Sequence, residues 1–345
     1  MQHSACRPAN IPPFKIDKST PTLDAMEAVL TDASGSLRLG SATDATAKPD
    51  EVLVAVGAAG VNRADLLQAA GLYPPPKGAS EILGLECSGT VVAGDGDAGV
   101  GEQVCALLSG GGYGSLVAVP AGQLMPVPEG VSPVAAAGLP EVACTVWSNL
   151  TMVAGLRAGE RVLIHGGGSG IGTCAIQYAK AIGAEVFVTV GSDQKGVRCA
   201  ELGADCIINY RESDFAEVIA EQTDGAGVDV ILDIMGAKYL PGNVASLAVG
   251  GRLVVIGLQG GVRGELNLGR LLARRASITA TSLRFRPAAE KAEICRGVVE
   301  QMWPLYAAGR MRPVIDTVLP FDRAQAAHEL LRDGGAFGKV VLSGW

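Results

Sequence analysis

The clearest hydrophobic pattern of the chain lies in its second half, where short unbroken apolar runs alternate with segments of helical periodicity. Apolar runs bounded by turn residues are typical of strands that are buried on both faces of a parallel sheet, with helices between them. The pattern predicts strands over 161–165, 185–190, 205–208, 228–234 and 252–256, a helix that ends near 182, and helices over 194–202, 214–222 and near 244–248. It therefore predicts a doubly wound α/β domain with a parallel sheet.

The first half has a different pattern, in which short β segments stand between turn signals and helical periodicity is almost absent. This pattern is typical of a mostly β domain. The predicted strands lie over 26–30, 52–56, 89–92, 103–108 and 116–119, and a helix over 290–308 precedes strand character at 314–319 and 339–342. We expect this tail to pack back on the first domain, so that 26–130 and 283–345 form one domain and 131–282 the other. Residues 1–25 are Pro-rich, without periodicity, and are predicted to form a flexible extension.

Composition and charge exclude several classes of partner. The 345 residues carry a net charge of −7 and contain no Lys/Arg run, so neither nucleic acid nor an anionic membrane surface is indicated as a partner. No apolar run has the length of a membrane span, and no secretory signal is recognisable at the start. The eight cysteines form no C-x-x-C pair, which predicts reduced thiols and a cytoplasmic protein. With three histidines, a His-rich metal site is excluded.

A glycine-rich turn is the strongest chemical motif. Residues 166–172 follow a predicted strand and open a helix, the context in which a dinucleotide pyrophosphate binds to a helix N-terminus. Ser169 stands where the middle glycine of G-x-G-x-x-G is expected, and its small hydroxyl side chain could donate to phosphate. The alternative is a turn with a structural role only.

The end of the next strand indicates which dinucleotide binds. NAD enzymes place an acidic residue there for the ribose 2′-hydroxyl, whereas this chain has a neutral stretch over 188–192 and no acid before Asp193. Lys195 follows, and a cation near a small neutral pocket suits a 2′-phosphate. The sequence therefore favours NADPH; the alternative for Lys195 is a solvated helix residue.

Ungapped stretches along the chain resemble a known family. They lie at 61–66, 71–76, 82–86, 106–112, 124–130, 163–166, 169–173, 175–177 and 202–204. From about residue 26 to 345 the chain resembles the zinc-free, zeta-crystallin-like quinone oxidoreductase branch of the medium-chain dehydrogenase/reductase superfamily, and within it the tumour-suppressor-inducible quinone oxidoreductases. The resemblance implies an α/β fold: a Rossmann doubly wound parallel sheet that binds NADPH, plus a mostly β GroES-like catalytic domain completed by the C-terminal tail.

The resemblance also implies that no metal is bound. Zinc-dependent members of the superfamily carry Cys where this chain has Asn62, and Gly-His-Glu where it has Gly84, Leu85 and Glu86. The four clustered cysteines of their structural zinc lobe are missing around residues 95–112.

By the same resemblance, Asn62 and Tyr73 are the catalytic residues that line an interdomain cleft and could hydrogen-bond a carbonyl oxygen. The alternatives are a turn-fixing role for Asn62 and a packing role for Tyr73. Asp65 is expected to orient the Asn62 loop, and structural roles are expected for His165 and His328. The implied cofactor-binding residues are Thr145, Gly168, Ser169, Gly170, Ile171, Gly172, Gly191, Ser192, Lys195, Tyr210, Gly257, Leu258, Ser282, Leu283, Arg284, Phe337, Gly338 and Lys339.

Three functions remain open at this stage. The first is an NADPH:quinone oxidoreductase, which fits the lack of an evident general acid because a reduced quinone can take protons from water. The second is an NADPH-dependent reductase of α,β-unsaturated carbonyls, and the third a non-catalytic NADPH-binding sensor or structural protein. The resemblance further implies a homodimer in which the edge strand at 278–281 pairs across a two-fold axis.

Overall fold

The computed structural model describes residues 25–94 and 96–345. The predicted flexible extension therefore lies, except for its last residue, outside the described residues. The first part of the chain contains β1 Met26–Thr31, β2 Leu37–Ala42, β3 Glu51–Val61, α1 Arg63–Ala69, β4 Glu86–Gly94, β5 Gln103–Leu107, β6 Leu116–Pro120, β7 Leu124–Pro126, α2 Pro133–Ala136 and α3 Pro140–Trp147.

A parallel sheet follows, with helices between its strands. Its elements are β8 Arg161–His165, α4 Gly170–Ile182, β9 Glu185–Val190, α5 Asp193–Glu201, β10 Cys206–Asn209, α6 Phe215–Gln222, β11 Val228–Asp233, α7 Leu240–Ser246, β12 Leu247–Val255, α8 Leu268–Arg274 and β13 Ser277–Ala280. The six strands are ordered β10-β9-β8-β11-β12-β13. Val162, Leu163 and Ile164 of the central strand are fully buried, because helices cover both faces of the sheet. This is the predicted doubly wound arrangement.

The last part of the chain returns to the first sheet. It contains α9 Ala288–Gln301, α10 Trp303–Ala307, β14 Ile315–Leu319, α11 Ala324–Arg332 and β15 Lys339–Ser343. The seven-stranded sheet is ordered β14-β15-β3-β4-β5-β7, with β6 paired to β3. β15 runs antiparallel to β3, with Val340 opposite Val61. The predicted fold class, with a GroES-like domain completed by the tail, is thereby confirmed, while the domain limits themselves stay a prediction.

Two predicted elements have different limits in the structure. The predicted helix near 244–248 ends at Ser246, and β12 begins at Leu247 because Leu247 pairs with Val228 before a register irregularity in the ladder. The helix predicted over 290–308 is divided into α9 and α10. Pro304 explains the division, because proline has no N–H to continue a helix but fits its first turn.

The edge strand, the cysteines and the lengths of the helices bear on the predicted dimer, location and absence of a membrane span. β13 lies at the edge of the six-stranded sheet and is mostly exposed; its pairing with a second copy stays a prediction. The described cysteines are free thiols, and the cytoplasmic location remains a prediction. Across 25–94 and 96–345, no helix has both the length and the apolar character needed to cross a membrane.

Candidate active site

The glycine turn, residues 166–172, connects β8 to α4. Ser169 is the N-cap of α4: its hydroxyl accepts from the Gly172 amide at 3.0 Å and donates to the Gly166 carbonyl at 2.7 Å. Gly172 lies so close to the turn that an added Cβ would be 2.6 Å from the Gly167 carbonyl oxygen. The amides of the first helical turn have no carbonyl partner within the helix, and they form the kind of site that binds phosphate.

The tail of the chain contacts this glycine turn. The Gly338 amide donates to the Gly168 carbonyl at 2.9 Å. A Cβ on Gly168 would lie 3.2 Å from the Phe337 ring and 3.1 Å from the Lys195 side chain, and a Cβ on Gly170 would lie 2.6 Å from Cδ of Lys339. Predicted cofactor residues from three distant parts of the sequence thus meet around one turn.

The predicted 2′-phosphate residues also lie together. A Cβ on Gly191 would be 2.5 Å from the hydroxyl of Tyr210, so this glycine allows the phenol to approach the end of β9. Ser192 is the N-cap of α5, and its hydroxyl accepts from the Lys195 amide at 3.4 Å. The Tyr210 side chain is 46% exposed, so this group of residues lies at the surface.

The Lys195 ammonium is partly engaged within the protein. It donates to the carbonyls of Gly334 at 2.7 Å and Ala336 at 2.9 Å. Desolvation by burial lowers its pKa. A lysine has three N–H donors, so one of them is left for a phosphate oxygen.

The predicted nicotinamide side is formed around α3 and the loop after β12. Thr145 is buried in α3, and its carbonyl accepts from Nδ2 of Asn149 at 2.7 Å. Gly257 lies close to the end of β11: an added Cβ would be 2.8 Å from the Ile234 carbonyl oxygen. The neighbouring Leu258 side chain is 53% exposed.

The segment from Ser282 to Arg284 joins the two halves of the molecule. The hydroxyls of Ser282 and Tyr73 are 3.2 Å apart. The Arg284 guanidinium donates to the Ser109 carbonyl at 2.8 Å, to Oε1 of Gln68 at 2.6 Å and to the Tyr73 carbonyl at 3.2 Å. The sequence predicts a cofactor contact for Arg284, and the structure places its guanidinium beneath the Tyr73 loop, which it anchors.

Leu283, between Ser282 and Arg284, is buried. Tyr73 packs edge-on against Phe285 with ring centroids 5.3 Å apart, and desolvation by burial raises the pKa of its hydroxyl. The half-buried Tyr73 side chain is thus held by Phe285, and its hydroxyl contacts Ser282.

A buried polar group, which we call the Asn62 network, consists of Asn62, Asp65, Glu86 and Lys339. The Asn62 amide donates to Oε1 of Glu86 at 2.9 Å, and its oxygen accepts from the Lys339 ammonium at 2.7 Å. The Lys339 ammonium also lies 2.6 Å from Oε1 of Glu86. Asp65 accepts from the Asn62 backbone amide at 2.7 Å, as expected of a residue that orients this loop, and burial raises its pKa to about 6.

This network does not fit a zinc ion. The Lys339 ammonium already lies between the Asn62 and Glu86 oxygens, and a second cation there would be repelled. No group of three or more His, Cys, Asp or Glu in the described part of the chain is arranged to hold a metal.

Glu141, in the first turn of α3, is a site residue that the sequence motifs do not predict. Its backbone amide donates to Oε2 of Glu86 at 2.9 Å, whereas its own carboxylate has no hydrogen-bond partner among the described residues. Burial raises the pKa of this half-buried carboxyl to about 8; the Glu86 charge contributes, and Lys339 opposes it. A signal is nevertheless present: Glu141 is the one charged residue in the apolar stretch 133–147, one helical turn before Thr145.

The two described histidines are buried away from the cleft. His165 contacts Oδ1 of Asn243 at 2.7 Å and Oγ1 of Thr189 at 3.1 Å. Burial lowers the pKa of both His165 and His328 to about 4. His328 lies 3.2 Å from the Tyr113 hydroxyl. Both stay neutral near pH 7, which agrees with structural roles.

Two protein families match the chain. Residues 48–129 match the alcohol dehydrogenase GroES-like domain, and residues 170–302 match the zinc-binding dehydrogenase family. A phenolphthiocerol/phthiocerol polyketide synthase from Mycobacterium tuberculosis is 35% identical over 298 residues, which are 85% of this chain and 14% of that protein. The chain thus spans only a small part of this curated relative.

Solved structures match over nearly the whole chain. An NAD-dependent alcohol dehydrogenase has a TM-score of 0.82 and 30% identity, covering 93% of this chain and 100% of that chain. Escherichia coli quinone oxidoreductase complexed with NADPH has a TM-score of 0.81 and 28% identity, with coverages of 93% and 99%. The CurK enoyl reductase has a TM-score of 0.79 and 29% identity, with coverages of 93% and 99%.

Proposed function

The chain belongs to the medium-chain dehydrogenase/reductase superfamily of oxidoreductases, and from that premise we propose that it reduces quinones with NADPH, without a metal, in the cleft between its two sheets. The observation that carries the proposal is the Asn62 side chain, which Glu86 and Lys339 hold in place while one of its amide hydrogens stays unused. A preorganised donor of this kind stabilises negative charge that develops on a substrate oxygen. The Lys339 ammonium is itself taken up by Glu86, Asn62 and the Val61 carbonyl, so it acts by orienting Asn62. We assign the chain to the zinc-free, zeta-crystallin-like branch.

NADPH supplies the hydride when it is bound. The first turn of α4 would hold its pyrophosphate, and the pocket of Gly191, Ser192, Lys195 and Tyr210 its 2′-phosphate. Thr145 and Gly257 would lie beside the nicotinamide. The lack of an acid at the end of β9 and the likeness to an NADPH-complexed quinone oxidoreductase support this choice over NADH.

The chain's own residues bind and orient the substrate carbonyl. Asn62 keeps a second amide hydrogen after its bond to Glu86, and the Tyr73 hydroxyl is shared only with the Ser282 hydroxyl among the described residues. Both can donate to a carbonyl oxygen. Asp65, Glu86 and Lys339 behind Asn62 are buried, and hydrogen bonds are stronger where little water is present.

A second candidate function is the reduction of α,β-unsaturated carbonyls. The likeness to an enoyl reductase and to a polyketide synthase favours it. Such a reaction uses the same hydride donor and the same donors to the carbonyl oxygen, and differs in that the hydride is delivered to the β-carbon.

Turnover of a matched panel tests the proposal. Ortho- and para-quinones and short enones would be offered with NADPH and with NADH while nicotinamide oxidation is followed by its absorbance. We expect quinones to react faster than enones, and NADPH to have the lower Michaelis constant. Faster enone turnover would select the second candidate, and stoichiometric zinc in the purified protein would contradict the metal-free mechanism.

A further inference from the structure

Glu141 differs in three properties from the two neighbouring carboxyl groups, those of Asp65 and Glu86. Its carboxylate accepts no hydrogen bond from the described residues, it is half-buried, and it lies at the start of α3, one turn before Thr145. Asp65, by contrast, is fully buried and accepts from the Asn62 and Gly84 amides.

Glu86 is also fully buried, and both of its oxygens are occupied, Oε1 by Asn62 and Lys339 and Oε2 by the Glu141 amide. Neither Asp65 nor Glu86 can therefore exchange a proton with a ligand in the cleft. Of the three carboxyls, Glu141 is the one that is partly exposed and accepts no hydrogen bond from the described residues.

Charged and titratable groups face Glu141 from every side of the cleft. Apart from Cys144 on its own helix, they are Glu86, Lys339, Asp65, Lys291, Tyr73 and Arg284. Desolvation and the Glu86 charge favour the neutral carboxyl, and the cations Lys339 and Lys291 oppose them. With the pKa raised to about 8, the carboxyl is mostly protonated at neutral pH.

We propose that Glu141 is the proton donor of the cleft and hands its proton to the substrate oxygen that becomes negative during reduction. The inference rests on the proposed quinone reduction. The Glu141 carboxyl interacts electrostatically with Glu86 and Lys339 of the Asn62 network and also with Tyr73, so it lies near both proposed donors to the substrate oxygen. A positioned carboxylic acid is a common general acid in enzymes.

The step balances in atoms and electrons. A hydride carries two electrons and one proton to the quinone, NADPH is oxidised to NADP⁺, and the product is a hydroquinone monoanion. The O–H bond of the Glu141 carboxyl then breaks, its proton bonds to the anionic oxygen, and neutral hydroquinone results. The Glu141 carboxylate regains a proton from water through its exposed side before the next turnover.

The test compares Glu141→Gln with the wild type and with Glu221→Gln, a change at an exposed residue of α6 outside the cleft. NADPH affinity is measured by nucleotide fluorescence, and kcat with a para-quinone is measured across the pH range on both sides of the Glu141 pKa. The donor is active only when protonated, so wild-type kcat should fall as the pH rises through about 8. We expect Glu141→Gln to lower kcat about a hundredfold and to lose this fall, with NADPH affinity unchanged. Glu221→Gln should match the wild type.

Two further measurements test the proton-donor role separately from the proposed quinone reduction. Glu141→Asp keeps the acid and should recover part of kcat together with the pH-dependent fall, and a solvent deuterium isotope effect should be present in the wild type and absent in Glu141→Gln. If Glu141→Gln keeps wild-type kcat and its pH profile while quinones are reduced, the proton-donor role is wrong and the proposed function stands. If the wild type reduces no quinone, the proposed function fails and this inference fails with it.

Discussion

The glycine turn and the Asn62 network lie at the same cleft but are built in opposite ways. The turn is closed locally: the hydrogen bonds of its Ser169 cap join residues three positions apart, and it works through backbone amides and absent side chains. The network is non-local and works through buried charges, because Lys339 and Asn62 are 277 residues apart in sequence. We therefore expect changes in the network to act first on stability, and changes in the turn to act first on cofactor binding.

The largest effect is expected for Lys339→Met. The change leaves the fully buried Glu86 carboxylate without its cation, and breaking a buried pair from one side costs about 3–5 kcal/mol. The free energy of unfolding in urea would measure the loss. The control is Lys180→Met, which removes an exposed pair with Asp205 at 2.9 Å and should cost less than about 1 kcal/mol. Equal losses of unfolding free energy in the two variants would show that the buried pair of Lys339 and Glu86 stabilises the fold no more than the exposed pair does.

The next effect is expected for Gly172→Ala, which tests the turn. An added Cβ would meet the Gly167 carbonyl oxygen at 2.6 Å, and backbone atoms cannot give way without opening the turn. We expect NADPH affinity to fall about thirtyfold, equivalent to ~2 kcal/mol, as measured by fluorescence titration. Gly99→Ala, where the nearest atom is a side-chain oxygen 3.7 Å away, is the matched control. If Gly172→Ala binds NADPH with unchanged affinity, the glycine turn is not part of the cofactor site.

A smaller effect is expected for Lys195→Ala, at the place where the turn and the tail meet. If its remaining N–H binds the 2′-phosphate, the Michaelis constant for NADPH should rise about tenfold, equivalent to ~1.4 kcal/mol, while that for NADH stays nearly unchanged. Lys48→Ala, on an exposed loop, serves as the control. Should NADPH and NADH respond alike, Lys195 only ties the tail to α5 through the Gly334 and Ala336 carbonyls.

The same contrast explains how much of the structure could be predicted. Strands such as β8 and β9 have the predicted limits, because buried parallel strands read as unbroken apolar runs. The boundary between α7 and β12 could not be predicted, since it depends on the pairing of Leu247 with Val228 on another strand. Local periodicity carries no information about a partner strand.

Within the site, the glycine turn could be predicted as a cofactor site because its chemistry lies in consecutive residues. The role of Lys339 could not: its ammonium lies beside Glu86 and Asn62 only once β15 has paired with β3. The role of Glu141 is hidden for the same reason, because its free carboxyl is defined by partners on other elements. Buried charge clusters need the tertiary structure before their chemistry can be described.

The pairing of β15 with β3 also has a consequence for synthesis on the ribosome. At about 5–20 residues per second, the ribosome needs roughly 13–50 seconds to go from Glu86 to Lys339. During that time the Glu86 carboxylate has been made but its cation has not, so the early sheet can close around it only if the carboxyl is protonated or its charge is unpaired, and either state costs free energy near neutral pH. The first half of the chain is therefore expected to wait, open to water or to a chaperone, until the strand that neutralises it emerges.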